Sequence, residues 1–264
     1  MDIVSPANSQ LKLARRVRDL REEGLIFLEG PRLIEECLTS NLKLHSAFHL
    51  TDEQSADPDI ILELKARNCP VYETSRSAFA SLTDTVSSQG IIVIASRPVG
   101  SLDEVFFSRT NAPPLVVAMD HVQDPGNAGT IIRTAEAAGA SGVVAMSGTT
   151  NPFAPKALRA SMGSAFRLPV TSGVQVTKLI ELARANGACL VAADAKANVI
   201  YTDHDWKKAT VLFVGNEGSG IDPAVTRHCD ASVRIPITQT VESLNVATAT
   251  AVILFEAARQ RASR

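Results

Sequence analysis

Hydrophobic and polar positions along this chain follow two periods, one helical and one of strands. Residues 9–23, SQLKLARRVRDLREE, set Leu11, Ala14, Val17 and Leu20 on one stripe, which predicts a helix. Its other face carries Lys12, Arg15, Arg16, Arg18 and Arg21. A short strand, 25–28, precedes a helix opening at Pro31, where a first-turn proline costs no hydrogen bond. Alternation continues through 44–50, 60–67, 71–74, 77–82 and 90–96, and the last of these, GIIVIAS, reads as a buried strand of a parallel sheet. The stretch 97–114 contains Pro98, Gly100, Pro113 and Pro114, with little periodicity after Phe107, and reads as a linker. Beyond it strands are expected at 115–120, 142–146, 168–171, 189–193, 210–214 and 232–235. Helices are expected at 130–138, 155–162 and 176–186, briefly from Pro223, and finally from about Ser243. Strands alternating with helices argue for an α/β fold on a parallel sheet. The division that follows is a smaller α/β domain over 1–98, a linker over 99–113 and a larger α/β domain over 114–264.

Composition narrows the class. The 264 residues are 45% hydrophobic and 20% charged, enough apolar material for a packed core. A formal net charge of -2 excludes a uniformly basic coat, though a local basic face suffices for phosphate contacts. Cys37, Cys69, Cys189 and Cys229 are far apart, so reduced core thiols are expected rather than disulfides or zinc ligands. His45, His49, His121, His204 and His228 are equally scattered, and no metal is expected. MDIVSPANSQ lacks the features of a signal peptide, and no apolar run reaches the roughly 18–20 residues of a membrane helix. A soluble, cytoplasmic protein is expected.

Three segments place glycines and polar residues after predicted strands, the edge where parallel sheets bind ligands. In DHVQDPGNAGTIIRTAEAAG, 120–139, Gly126 and Gly129 allow a tight turn around Asn127. Arg133 follows among Ile131, Ile132, Ala135 and Ala138, where a guanidinium needs an anion or a buried partner. By itself the segment reads equally well as a surface arginine with a capping asparagine. In VLFVGNEGSGI, 211–221, glycine backbone at Gly215, Gly218 and Gly220 can approach a flat ligand. The glycine order differs from the dinucleotide fingerprint, so Asp194 reads as a loop aspartate and a nicotinamide enzyme is disfavoured. In RIPITQTVESLNVATATAVILFE, 234–256, a loop through Pro236 leads to Ser243, Leu244 and Asn245, then a helix of small residues. Alone, it reads as a capped terminal helix packed on the sheet.

Taken together, the three resemble the SpoU (TrmH-type) RNA ribose 2′-O-methyltransferases of the SPOUT superfamily. The N-x-G-x-x-x-R-x-A motif is matched at Asn127, Gly129, Arg133 and Ala135. The G-x-E-G-x-G motif is matched at Gly215, Glu217, Gly218 and Gly220, and I-P…S-L-N-V at Ile235, Pro236, Ser243, Leu244, Asn245 and Val246. Gln239 stands where many members have glycine, and Ala247 where serine is frequent. At the front, Ser5, Asn8, Lys12 and FLEGPRLIEE at 27–36 resemble the family's small substrate-binding domain, similar to a ribosomal-protein fold. The resemblance implies a SPOUT-type parallel sheet flanked by helices with a deep trefoil knot, behind an α/β RNA-binding domain. It implies S-adenosyl-L-methionine as cofactor, held around Gly215, Gly218, Ile235, Pro236 and Leu244. It also implies methylation of a ribose 2′-hydroxyl by a homodimer, with ribosomal RNA favoured over transfer RNA. Arg133, Asn127, Glu217, Ser243 and Asn245 become the catalytic candidates, and Lys12, Arg15, Arg16 and Arg32 the RNA-binding ones. A guanidinium is a very poor base, so Arg133 is expected to bind the neighbouring phosphate and polarise the hydroxyl. A non-catalytic RNA-binding or ribosome-assembly factor on the same fold is the alternative, and it has no need of a cofactor pocket.

Overall fold

The computed structural model describes residues 2–3, 5, 7–51, 57–83, 89–108, 112–216, 218–238 and 242–262. The chain forms two compact units, one of Met1–Pro98 with Phe153–Arg167, the other of Val99–Pro152 with Leu168–Arg264.

The first unit runs β1 (Asp2–Ile3), α1 (Ser9–Arg18), β2 (Leu25–Glu29), α2 (Pro31–Thr39), β3 (Leu44–Leu50), α3 (Pro58–Ala66), β4 (Val71–Thr74), α4 (Arg76–Ala80) and β5 (Ile91–Ser96). Its sheet has the order β1-β4-β3-β5-β2. β5 is buried as expected, but it pairs antiparallel with both β2 and β3, which corrects the parallel reading. Burial on both faces makes any central strand a continuous apolar run, whatever its neighbours' direction. α1 buries Leu11, Ala14 and Val17 and ends at Arg18, earlier than its period predicts. Leu20 leaves the stripe, exposed and left-handed at φ 59°. Phe27, Phe48, Phe79 and Ile94 fill the core between α1, α4 and the sheet.

The second unit begins with a short 3-10 turn, Glu104–Phe106, inside the stretch read as a linker. Val105 and Phe106 are buried in the unit's core, and Ser141 donates its hydroxyl to the Val105 carbonyl at 2.6 Å. Then come β6 (Leu115–Met119), α5 (Pro125–Ala137) and β7 (Gly142–Met146). α6 (Pro155–Ser161) and α7 (Ser164–Arg167) belong to the first unit. The second unit resumes with β8 (Val170–Val174), α8 (Val176–Ala185), β9 (Cys189–Ala193), β10 (Val199–Ile200), β11 (Thr210–Val214), α9 (Pro223–Thr226), β12 (Ala231–Arg234) and α10 (Val246–Ala262). β1, β10, α7 and the 3-10 turn are too short for periodicity to register. α5 starts five residues before position 130 because Asp124 caps it and Pro125 occupies its first turn. Gly126, Asn127 and Gly129 are therefore helical rather than in a turn.

Among the described residues the second sheet has seven strands, all parallel, in the order β10-β12-β9-β11-β6-β7-β8. From β6 the chain proceeds outward through β7 and β8, whereas from β11 it proceeds to β12 on the opposite side. Connections therefore diverge between the paired strands β6 and β11. Such a switch point opens a crevice at the carboxyl edge of a parallel sheet. α10 packs against α5. Its far end is clamped by Arg261, which donates to the carbonyls of Trp206, Pro113 and Lys208.

All four cysteines are free thiols. Burial pushes Cys37, Cys69 and Cys229 up to about 11, which keeps them protonated and unreactive. On α10, Arg259 holds both oxygens of Glu256 and Gln260 adds a third bond, bringing that carboxyl down to about 2. A depressed carboxyl stabilises the fold above its unfolded value of roughly 4.3, and that contribution fades as pH falls toward 2. Trp206, the single tryptophan, donates its backbone N–H to Gln260 of this network and reports on it. Urea midpoints followed by tryptophan fluorescence should drop more steeply with acid in the wild type than in Glu256→Gln. Equal slopes would refute the assignment.

Candidate active site at the carboxyl edge of the parallel sheet

Asp120 ends β6 as an acid with 1% of its surface exposed. An isolated buried carboxylate is costly, and here two donors satisfy it. Nδ1 of His121 donates to Oδ1 at 2.7 Å, and the backbone N–H of Asp222 donates to Oδ2 at 2.8 Å. His121 adopts φ 55°, a left-handed conformation that ordinary residues hold only when their surroundings fix it. Its ring lies over Gly148, where any Cβ would come within 2.5 Å of Nε2. Gln123 donates its side-chain amide to the carbonyls of His121 and Gly148, joining the turns that follow β6 and β7.

Asn216 organises the glycine turn after β11. Its Oδ1 accepts from the N–H groups of Gly218 and Ser219, and its Nδ2 donates to the His121 carbonyl at 3.0 Å. Asn216 and Gly220 close the turn with a pair of backbone hydrogen bonds. Gly215 admits no side chain, because a Cβ there would lie 2.3 Å from the Gly220 carbonyl carbon. The first and second segments are thus bound together at the switch point.

The first and third segments meet through two asparagines. Nδ2 of Asn245 donates to Oδ1 of Asn127 at 3.0 Å. Oδ1 of Asn245 accepts from the N–H groups of Ala247 and Thr248, so the residue also caps α10. Asn127 occupies the first turn of α5, its N–H held by Asp124 at 2.9 Å. The α5 cap is therefore Asp124, not the asparagine.

Arg133 is exposed on α5, with no hydrogen bond or ion pair among the described residues. Ile131, Ile132 and Ala135 turn inward while Arg133 faces solvent, the surface placement that the segment by itself left open. Ser243, Gly218 and Pro236 are exposed, and Ile235 and Leu244 are half-buried. Glu217 and Gln239 lie outside the described residues. Periodicity and glycine spacing did not single out Asp120, His121 or Asn216. The available indication was chemical: an acid ending an apolar strand, and an asparagine inside a glycine turn, where side-chain-to-backbone bonds are common.

In the first unit, the basic face of α1 is partly consumed by the fold. Arg15 donates to the Ser81 hydroxyl at 3.0 Å, and Arg16 pairs with Glu22 at 2.8 Å. Lys12 and Arg32 are exposed, without side-chain partners among the described residues. Also among the described residues, no group of three or more His, Cys, Asp or Glu is placed to hold a metal. No helix there is long and apolar enough to cross a membrane.

Comparison with known proteins agrees with this geometry. Residues 114–255 match the model of the SpoU rRNA Methylase family, and residues 27–98 match that for RNA 2′-O ribose methyltransferase substrate binding. An uncharacterised tRNA/rRNA methyltransferase of Synechocystis is 30% identical over 98% of this chain and 95% of its own. The 23S rRNA (guanosine(2553)-2′-O)-methyltransferase of Bacillus subtilis is 31% identical over 96% and 97%. The crystal structure of an AdoMet-bound rRNA methyltransferase from Sinorhizobium meliloti is similar at TM-score 0.85 and 32% identity, covering 98% of this chain and 97% of that one. A SpoU methyltransferase from Streptomyces viridochromogenes in complex with AdoMet gives 0.84 and 27%, covering 97% and 99%. The family match spans more than half of the chain and the relatives span nearly all of it, so the chain belongs to the SpoU rRNA methylase family.

Proposed function

We propose that this chain is an S-adenosylmethionine-dependent RNA methyltransferase acting on a ribose 2′-hydroxyl of ribosomal RNA. The observation that carries the reading is the convergence of three segments at the switch point, joined by the Asn216–His121 and Asn245–Asn127 hydrogen bonds. Family membership and the names of the relatives support both the reaction and the RNA class.

The donor set fits the cofactor. A sulfonium nucleoside carries no phosphate, so it needs no basic cradle, only a close-packed backbone turn and apolar cover. The turn at Gly215–Gly220 is built that way, and the half-buried Ile235 and Leu244 offer the cover. Gly215, Gly218, Ile235, Pro236 and Leu244 would hold the adenosine part. When bound, the cofactor supplies an electrophilic methyl group. Arg133, on the exposed face of α5, binds a phosphate beside the target nucleotide and polarises the 2′-hydroxyl. Asn127 in the first turn of α5 and Asn245 at the cap of α10 orient the ribose from the starts of two packed helices, a rigid base for near-attack geometry. Ser243 and Glu217 complete the polar set. The C-terminal domain, 114–264, is knotted and works as a homodimer in the cytoplasm. Residues 1–98 form most of the RNA-binding domain, where the exposed Lys12, Arg16 and Arg32 face the substrate and Arg15 supports them from its bond to Ser81.

Calorimetric titration with S-adenosylmethionine separates this reading from a purely RNA-binding role, which predicts no heat of binding. Arg133→Lys should lower single-turnover methylation of unmodified ribosomal RNA by about a hundredfold, the scale of losing one charge-stabilising donor, with cofactor affinity intact. Normal turnover would remove any special role for the planar guanidinium. Gly215→Ala should weaken cofactor binding by roughly fivefold or more, since an added methyl in a closed turn costs at least about 1 kcal/mol. Wild-type affinity in that variant would place the cofactor elsewhere.

A further inference from the structure

Methylation of a ribose 2′-hydroxyl releases a proton, and Arg133, already protonated, cannot take it. The pair Asp120–His121 offers the missing chemistry at the carboxyl edge of β6. It opens the turn that joins β6 to α5, the helix that carries Asn127 and Arg133. The Asp120 carboxylate is buried with both oxygens engaged, so it cannot meet a substrate hydroxyl. The imidazole is the exposed member of the pair. Because Nδ1 donates to the carboxylate, the neutral ring keeps its lone pair on Nε2, which has no partner among the described residues. Gly148 leaves that atom uncovered, since a Cβ there would lie 2.5 Å from Nε2 and 2.6 Å from Cδ2. Asp124, Asp194 and Asp222, the acids that follow β6, β9 and β11, each accept a main-chain N–H instead. Among the described residues, Asp120 is the one charged group in contact with the ring.

We propose that Nε2 of His121 is the general base of the methyl transfer. The proposal rests on the methyltransferase reading above and assigns the proton that reading leaves unplaced. Nε2 takes the proton of the 2′-hydroxyl as an electron pair of that oxygen bonds the methyl carbon. The carbon–sulfur pair passes to sulfur, so a methyl ether and a neutral thioether result. The imidazolium is held by the Asp120 carboxylate until it gives its proton to water. Arg133 keeps its place at the phosphate.

The test uses the full chain. Single-turnover methylation of unmodified ribosomal RNA at saturating S-adenosylmethionine should fall about a hundredfold in His121→Asn, the low end of general-base effects. Asparagine tolerates the left-handed backbone of this position, so its carbonyl still holds Asn216 and cofactor affinity should be unchanged. The wild-type rate should decline in acid as Nε2 is protonated, and the residual rate of His121→Asn should not. Imidazole in solution should restore part of the rate to His121→Gly, a rescue that a merely structural role does not permit. Independently of turnover, diethyl pyrocarbonate should label His121 in the free chain, and bound ribosomal RNA should shield it. A wild-type rate and acid profile in His121→Asn would overturn the proposal alone, as would labelling that bound RNA leaves unchanged. Slow transfer with weakened cofactor affinity and no rescue by imidazole would make His121 a brace of the glycine turn and overturn it as well. A wild type that binds RNA but no S-adenosylmethionine would instead overturn the methyltransferase reading, and the base with it.

Discussion

The buried carboxylate of Asp120 is the constraint on which the active edge depends. A charge with 1% exposure persists only if its oxygens find donors, and these donors come from sequence positions about a hundred residues apart. Satisfying it pulls the start of α9 toward the end of β6 and fixes the tautomer of His121. The His121 carbonyl then anchors Asn216, which shapes the glycine turn. One local electrostatic requirement thus sets the relation of two loops that a flexible sheet edge would otherwise leave free. The third loop is joined by a neutral bond between two asparagine amides, and the same residue caps α10. Because Asn245 serves as helix cap and bridge together, the packing of α10 on α5 and the shape of the crevice are linked energetically. Loss of such a cap costs about 1 kcal/mol before the bridge is counted.

Much of this was legible in the residues. The parallel sheet of the second unit, the order of its elements and the three glycine-bearing segments follow from periodicity and turn chemistry. What stayed illegible has physical reasons. The neighbours of Arg133 in sequence are apolar, but residues one or two apart on a helix face different directions, so sequence proximity does not mean burial. The run 90–96 carries no information on strand direction, because a central strand is apolar in either case. Asp120, His121 and Asn216 act through partners distant in sequence, and no local period encodes such a network. Two glycines and an asparagine at 126–129 read as a turn, whereas Asp124 and Pro125 form the stronger helix start.

The path of the chain between its two units has a consequence for how separable they are. Residues Phe153–Arg167 lie between β7 and β8 in sequence, yet they form part of the compact unit built by the first 98 residues. There α6 packs along β2, Arg159 meets Glu29, and the guanidinium of Arg97 sits 4.3 Å from the centre of the Phe153 ring. The chain therefore crosses from one unit to the other three times rather than once. A cut at position 98 would deprive α6 of its partner strand and expose Phe153, Ala157 and Leu158, all nearly or fully buried in the intact chain. The catalytic sheet is thus not a detachable module to which an RNA-binding unit was simply appended. Each unit is completed by sequence that the other interrupts, so recombination between relatives at the apparent boundary would have to exchange this helical pair as well.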